Sequence, residues 1–310
     1  MAATSYKIIG EEGVLSRSYR IPWTLLVLNR SRSIFQADSL AAFSDAGFTE
    51  IISIENLSSR QRSYSQIVRQ IKGVRFIVTD TAVCTGEQIN IGIAASRCPF
   101  VAVIWNDMQF RTLFTDSFIH EVEHSGSLCT VPLLHSNLDD LIPSVLVPVM
   151  NKKTVKTIPM AAIKTGTSAL FPFDYTGVYS KKLFQLVGGY DTEIKSSYWQ
   201  KMDFGFRSWL WGEKILLNSS FRLYYTSDFQ QDDTSIDHGY RRFYLKNLAV
   251  HVRDNLAYLP KLQLFSYILR SGEGLMLSLA DFKEASAWVR ANRTRYIRNG
   301  QTLISDWQKE

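Results

Sequence analysis

The sequence predicts an α/β protein built on a doubly wound sheet, and three observations carry that prediction. Apolar runs of strand length recur without polar alternation, stretches of helical spacing separate them, and polar residues stand directly after each run. Uninterrupted apolar runs mark strands covered on both faces, and strand-helix-strand repetition marks a parallel sheet.

The first run, residues 23–28, is closed by Asn29-Arg30-Ser31. Leu40, Phe43 and Ala46 then recur at helical spacing, and Gly47 stands where a helix would end. A second strand over residues 50–55 ends in a carboxylate. Residues 74–80 give a third, residues 87–96 the next helix, and residues 100–107 a fourth strand. Ligands of such sheets bind outside the carboxyl ends of the strands. Asn29 and Arg30, Glu55 and Asn56, and Asn106 and Asp107 therefore fall together at one sheet edge. Each alone is an ordinary strand end; their shared position makes them candidates.

With 45% hydrophobic and 13% aromatic residues in 310, the chain can bury a core, which excludes a disordered protein. A formal net charge of +6 suits anionic ligands or an anionic membrane surface and does not by itself indicate nucleic acid. Cys84, Cys98 and Cys129 show neither CxxC nor Cys/His spacing, so no disulfide framework or zinc site is encoded. No signal-like start is present, and no apolar run reaches the roughly 18 residues a membrane span requires, so a cytoplasmic protein is expected.

In order and spacing, residues 21–226 resemble the inverting family 2 glycosyltransferases of GT-A fold. Leu28-Asn29-Arg30 stands for the turn that opens the family pattern, and Glu55-Asn56-Leu57-Ser58 for the segment that receives base and ribose. Asn90-Ile91-Gly92 matches an Asn-x-Gly on the third helix, and Trp105-Asn106-Asp107 stands at the DxD. Phe184, followed by Gly188-Gly189-Tyr190-Asp191, matches a later Gly-Gly segment. The resemblance implies a GT-A-like doubly wound mixed sheet over residues 21–237, after an N-terminal segment 1–20 and before a helical C-terminal extension 238–310.

It also implies transfer of a sugar from a nucleotide-diphospho-sugar to a glycan or lipid-linked acceptor, in surface polysaccharide or glycolipid assembly. Leu28, Arg30, Glu55, Asn56 and Asn106 would hold the nucleotide, and Asp107 would ligate Mg²⁺ or Mn²⁺. Asp174 and Tyr175 would face the acceptor, in a stretch that closes over the donor sugar. Trp199 would stack on a pyranose, while Trp209 is read as core.

The family's Glu-Asp base pair is replaced by Gln200-Lys201, and neither side chain accepts a proton well at neutral pH. Asp203, and behind it Asp191, are the substitute bases, although Asp203 could equally pair with Arg207 at i,i+4. The family's metal-site histidine is Tyr225 here, with Asp228, Asp232, Asp233 and His238 downstream. These departures leave open a rival: a catalytically impaired module that binds a nucleotide sugar or glycan as a partner subunit.

From residue 238 the pattern reads as helical, with Tyr240, Tyr244, Leu248, Val252 and Leu256 on one face. Pro260 starts a new segment, and a last helix is predicted with Asp281 as N-cap and Glu284 three later. The arginines opposite these apolar faces form a solvated surface, a peripheral contact with the inner face of a membrane, or a dimer contact.

Overall fold

The computed structural model describes residues 4–10, 20–30, 37–56, 61–71, 73–151, 154–228, 231–271 and 274–307, and among them ten strands join one mixed sheet. The first half alternates as its apolar runs dictate. Strands β1 (Tyr6–Ile9) and β2 (Ile21–Leu28) lead to helix α1 (Ala37–Asp45), then β3 (Phe48–Asn56), α2 (Gln61–Gln70) and β4 (Val74–Thr79). Helix α3 (Thr85–Ala95) and β5 (Phe100–Trp105) complete the wound portion.

Strands β4, β3, β2 and β5 lie side by side and parallel. The chain winds outward from β2 through β3 to β4, then crosses back so that β5 pairs the other side of β2. That reversal opens a crevice at the carboxyl ends of β2 and β5. Gly92 lets α3 lie close over β2, since a Cβ there would fall 2.5 Å from a methyl of Leu26.

The second half extends the sheet with strands of both directions. These are β6 (Met108–Phe110), β7 (Cys129–His135) and β8 (Leu141–Ile142), with α4 (Asp116–His124) between the first two. A separate hairpin, β9 (Val145–Asn151) and β10 (Thr154–Met160), precedes β11 (Gly177–Ser180). Helices α5 (Lys181–Val187) and α6 (Ser197–Leu210) lead to β12 (Ile215–Tyr225). Strand β11 inserts antiparallel between β5 and β7, and β12 runs parallel to β7.

Helix α6 is buried from Tyr198 to Leu210. A helix enclosed on all sides must satisfy its polar side chains internally, and this governs the fate of several predicted site residues.

Beyond residue 237 the predicted continuous helix is interrupted. Helix α7 (His238–Phe243) runs into a π turn, Tyr244–Leu248, and the chain then forms a hairpin of His251–Arg253 with Leu256–Tyr258. Asp254 and Asn255 have φ of 52° and 59°, the left-handed pair a tight hairpin turn demands. Val252 and Leu256 thus belong to strands, and their four-residue spacing was not helical. Helices α8 (Gln263–Ser271), α9 (Leu275–Ala291) and α10 (Gly300–Trp307) follow. Asp281 does not cap α9, which begins at Gly274 because the intervening Leu275-Met276-Leu277 are good helix formers. Phe243, Val250, Val289, Tyr296 and Leu303 pack into the same core as the sheet.

Candidate functional site

Leu28 and Trp105 are register partners at the ends of β2 and β5, and the Asn106 amide donates to the Leu28 carbonyl at 2.9 Å. The residues just beyond are therefore brought side by side. Arg30 Nε lies 3.3 Å from Asp107 Oδ1 and 3.2 Å from Oδ2, and Arg30 Nη2 donates to Asp174 Oδ2. The guanidinium carbon sits 4.2 Å from the Trp105 ring centroid and 5.5 Å from that of Tyr225. Burial pulls the Arg30 pKa down, but Asp174 and Asp107 outweigh it and raise it above the ordinary value. Burial pushes the Asp174 carboxyl up; Arg30, Lys201 and a 2.8 Å hydrogen bond from Tyr225 Oη oppose this without cancelling it.

Asp174 and Tyr175 are consecutive non-glycine residues with φ of 50° and 63°. Such backbone costs of order 1–3 kcal/mol per residue and persists only where the surroundings hold it. Here Trp105 Nε1 donates to the Asp174 carbonyl at 2.8 Å, Tyr179 Oη donates to the Tyr175 carbonyl at 2.7 Å, and Tyr175 Oη donates to Gln200 Oε1 at 2.9 Å. The turn fixes the Asp174 carboxylate against Arg30.

Arg30, Trp105, Asp174 and Tyr175 line a cleft of about 450 Å³ together with Asn29, Gln88, and Ser196 and Ser197 at the start of α6. A second cavity of about 280 Å³, walled by Leu146, Thr157 and Tyr198 beneath the β9–β10 hairpin, shares Asp174 and Asp232 with it. The acids of the larger cleft are engaged. Asp174 is held by Arg30 and Tyr225, Asp232 accepts from Lys201 at 2.7 Å, Asp233 from the Ser235 amide at 2.9 Å, and Asp237 caps α7.

The other predicted residues are divided between the cleft and the core. Asn29 lines the cleft, and its amide donates to Glu55 Oε1 at 2.9 Å and the Ile54 carbonyl at 3.0 Å. Burial raises the Glu55 carboxyl, opposed by hydrogen bonds from Ser53, Asn29 and Tyr64, so Glu55 orients Asn29. Asn106 Oδ1 accepts from the Arg30 amide at 3.5 Å. The Leu28 side chain is fully buried, so it contributes backbone alone. The Asn56 side chain, Leu57 and Ser58 lie outside the described residues.

Asp203, the expected base, is 0% exposed. Its carboxylate accepts from Arg207 and from Asn247, each at 2.8 Å, with Lys246 at 3.7 Å. It is a core carboxylate, and the i,i+4 pairing with Arg207 is its use. Asp191 accepts from Arg242 at 2.7 Å and Lys246 at 2.6 Å. Burial pushes this carboxyl up, but the two cations hold it well below the usual range. Trp199 is also core: it stacks on Phe243 at 5.7 Å and donates to the Ser235 carbonyl at 2.7 Å, so its faces do not await a sugar. Trp209 is buried, as read from sequence.

Gln200 uses its whole amide. Nε2 donates to the carbonyls of Asp191 at 2.9 Å and Ile194 at 3.0 Å, while Oε1 accepts from the Gly86 amide and from Tyr175 Oη, both at 2.9 Å. The Asn90 and Gly-Gly motifs meet beside it. Asn90 donates to the Tyr190 carbonyl at 2.8 Å and accepts from its amide at 2.9 Å, and a Cβ on Gly189 would fall 2.5 Å from Asn90 Oδ1.

Asp107 is the residue expected to ligate a metal. Its carboxylate is taken by Arg30 and by Ser227 Oγ at 3.0 Å, and Tyr225 gives its hydroxyl to Asp174. Among the described residues no group of three or more His, Cys, Asp or Glu is placed to hold a metal ion. The donor set, one carboxylate already paired with a guanidinium, does not fit a protein-ligated divalent ion. Sequence reasoning missed the pairing of Arg30 with Asp174 and of Lys201 with Asp232, partners far apart along the chain.

No protein-family model matches the chain, and no curated protein matches it in sequence. Among solved structures, GalNAc-T7 with UDP, GalNAc and Mn²⁺ superposes with a TM-score of 0.62 at 12% identity, covering 92% of this chain and 56% of that one. The fold is of the GT-A type. The chain thus spans little more than half the length of that GT-A structure. TarS residues 1–349 of S. aureus in complex with UDP-GlcNAc matches with a TM-score of 0.49 at 15% identity, over 85% of this chain and 71% of that one.

Proposed function

We propose that the chain is a glycosyltransferase that takes a nucleotide-diphospho-sugar into the larger cleft and a glycan or lipid-linked acceptor through the smaller cavity. The observation that carries this reading is the cation at the switch point: Arg30, fixed by Asp107 and Asp174, at the crevice of a GT-A fold. A guanidinium matches a phosphate geometrically, and the N-terminal end of α6, where Ser196 makes no side-chain cap bond, adds to the attraction. Asn29, oriented by Glu55, supports the nucleoside side.

The reaction is a direct displacement with inversion. The acceptor hydroxyl oxygen bonds to the anomeric carbon, the bond from that carbon to the phosphate oxygen breaks, and the electron pair leaves with the nucleoside diphosphate beside Arg30. The hydroxyl proton goes to Asp232, which lines both cavities and is anchored by Lys201. Asp232→Asn tests this: donor affinity should persist while transfer falls by roughly 10²-fold or more. Unchanged transfer would remove Asp232 from the step.

A second reading, binding without transfer, is favoured by the commitment of Gln200 and Lys201 to internal bonds. Calorimetry against UDP-, GDP-, dTDP- and CMP-sugars, with EDTA or with Mn²⁺, separates the readings. Binding with release of nucleoside diphosphate supports the enzyme, binding alone supports the module, and no binding to any sugar nucleotide sinks both. Affinity that appears only with Mn²⁺ would show that a metal joins the site despite its donor set.

A further inference from the structure

Helix α8 turns its apolar side outward. Leu262, in the turn just before the helix, and Phe265 and Leu269 within it are 81%, 69% and 86% exposed. The inward side is anchored: Tyr267 packs with Phe282, Ala285 and Leu245, and its hydroxyl donates to Asp281 Oδ2 at 2.9 Å. The first turn of α9 continues the exposed surface with Leu275, Met276 and Leu277. Soluble surfaces rarely gather large apolar side chains in this way without a partner.

The charge around the row says which partner. Residues 238–310 carry twelve Lys and Arg against six Asp and Glu, which equals the +6 of the whole chain and leaves residues 1–237 neutral. On α9, Met276, Lys283 and Arg290 are spaced by seven and all exposed, so apolar and basic side chains share one face. Lys261 is exposed beside Leu262. Among the described residues the neighbouring acids Glu284 and Asp281 are engaged, by Arg242 at 2.7 Å and by Tyr267. Among the described residues no helix is long and apolar enough to cross a membrane.

We propose that α8 and the first turn of α9 form a docking surface for an anionic lipid bilayer, with Leu262, Phe265 and Leu269 entering the acyl boundary and Lys261, Lys283 and Arg290 meeting the headgroups. Apolar insertion and basic attraction are the two contributions that interfacial helices combine. The surface is independent of the cleft, so failure of the enzymatic reading would leave it unchanged.

The full chain should sediment with vesicles of mixed phosphatidylglycerol and phosphatidylcholine, and far less with phosphatidylcholine alone. The triple variant Leu262→Ser, Phe265→Ser, Leu269→Ser should weaken binding by about a hundredfold or more at unchanged melting temperature, because all three side chains face solvent. The variant Lys261→Gln, Lys283→Gln, Arg290→Gln should lose roughly fivefold per residue and most of its salt dependence. Absence of binding to either vesicle, or equal binding to both, overturns the proposal. So does a dimer in solution that the apolar triple variant converts to monomer, since a second copy would then be the occupant.

Discussion

Removing Arg30 is the sharpest perturbation of the cleft. Its guanidinium side chain is 16% exposed and lies 3.2–3.3 Å from the carboxylate oxygens of Asp107. Hydrogen bonds to ionised groups contribute about 1.5–3 kcal/mol each. A diphosphate gripped by two such donors would lose about 3 kcal/mol with Arg30→Ala, or roughly 150-fold in Kd. Arg30→Lys keeps the charge but loses the planar fork and the Trp105 stacking, so about tenfold is expected. The assay is calorimetric titration of each variant with whichever of the four sugar nucleotides binds, in EDTA, with thermal unfolding as the folding control. Affinity of Arg30→Ala within roughly threefold of wild type would refute the assignment of the diphosphate to this cation.

Gln200→Glu should not raise transfer activity; it places a carboxylate against the carbonyls of Asp191 and Ile194 and should cost about 3 kcal/mol or more of stability, read by denaturant titration. Trp199→Ala should destabilise the fold by about 3–5 kcal/mol, as a core truncation does. A change in acceptor KM at unchanged stability would instead return Trp199 to the acceptor site. Asp191 has a depressed folded-state pKa, so its contribution is complete above about pH 4 and is lost as pH falls toward the folded value. Melting temperatures between pH 6 and 3 should therefore fall more steeply for wild type than for Asp191→Asn; parallel curves would contradict that coupling.

The parallel core of the sheet was legible because its strands are covered on both faces and read as unbroken apolar runs, as in residues 23–28. The edge strand β1 and the polar helix α2 carry no such signal, since water substitutes for a partner on one side. At the site, Arg30, Asp107 and Asp174 were each named, but their mutual pairing depends on the strand register of β2 with β5 and on the turn before β11. Asp203 and Trp199 are buried for one reason. A helix bearing Gln, Lys, Asp and Arg looks half solvated, whereas α6 is enclosed and answers each polar group internally. The partner that explains Asp203, Asn247, lies 44 residues further on, beyond the reach of any local pattern.

Lys246 gives that enclosure a consequence for how this chain can vary. One ammonium from the C-terminal segment serves both Asp191 and Asp203, two acids held by different parts of the sheet domain. A descendant that discarded the segment would strand Asp191, which follows the Gly-Gly loop, and leave Asp203 with Arg207 alone. The acids and the lysine are therefore expected to appear or vanish together among related chains, so that co-inheritance, rather than position along the chain, would mark where this domain ends.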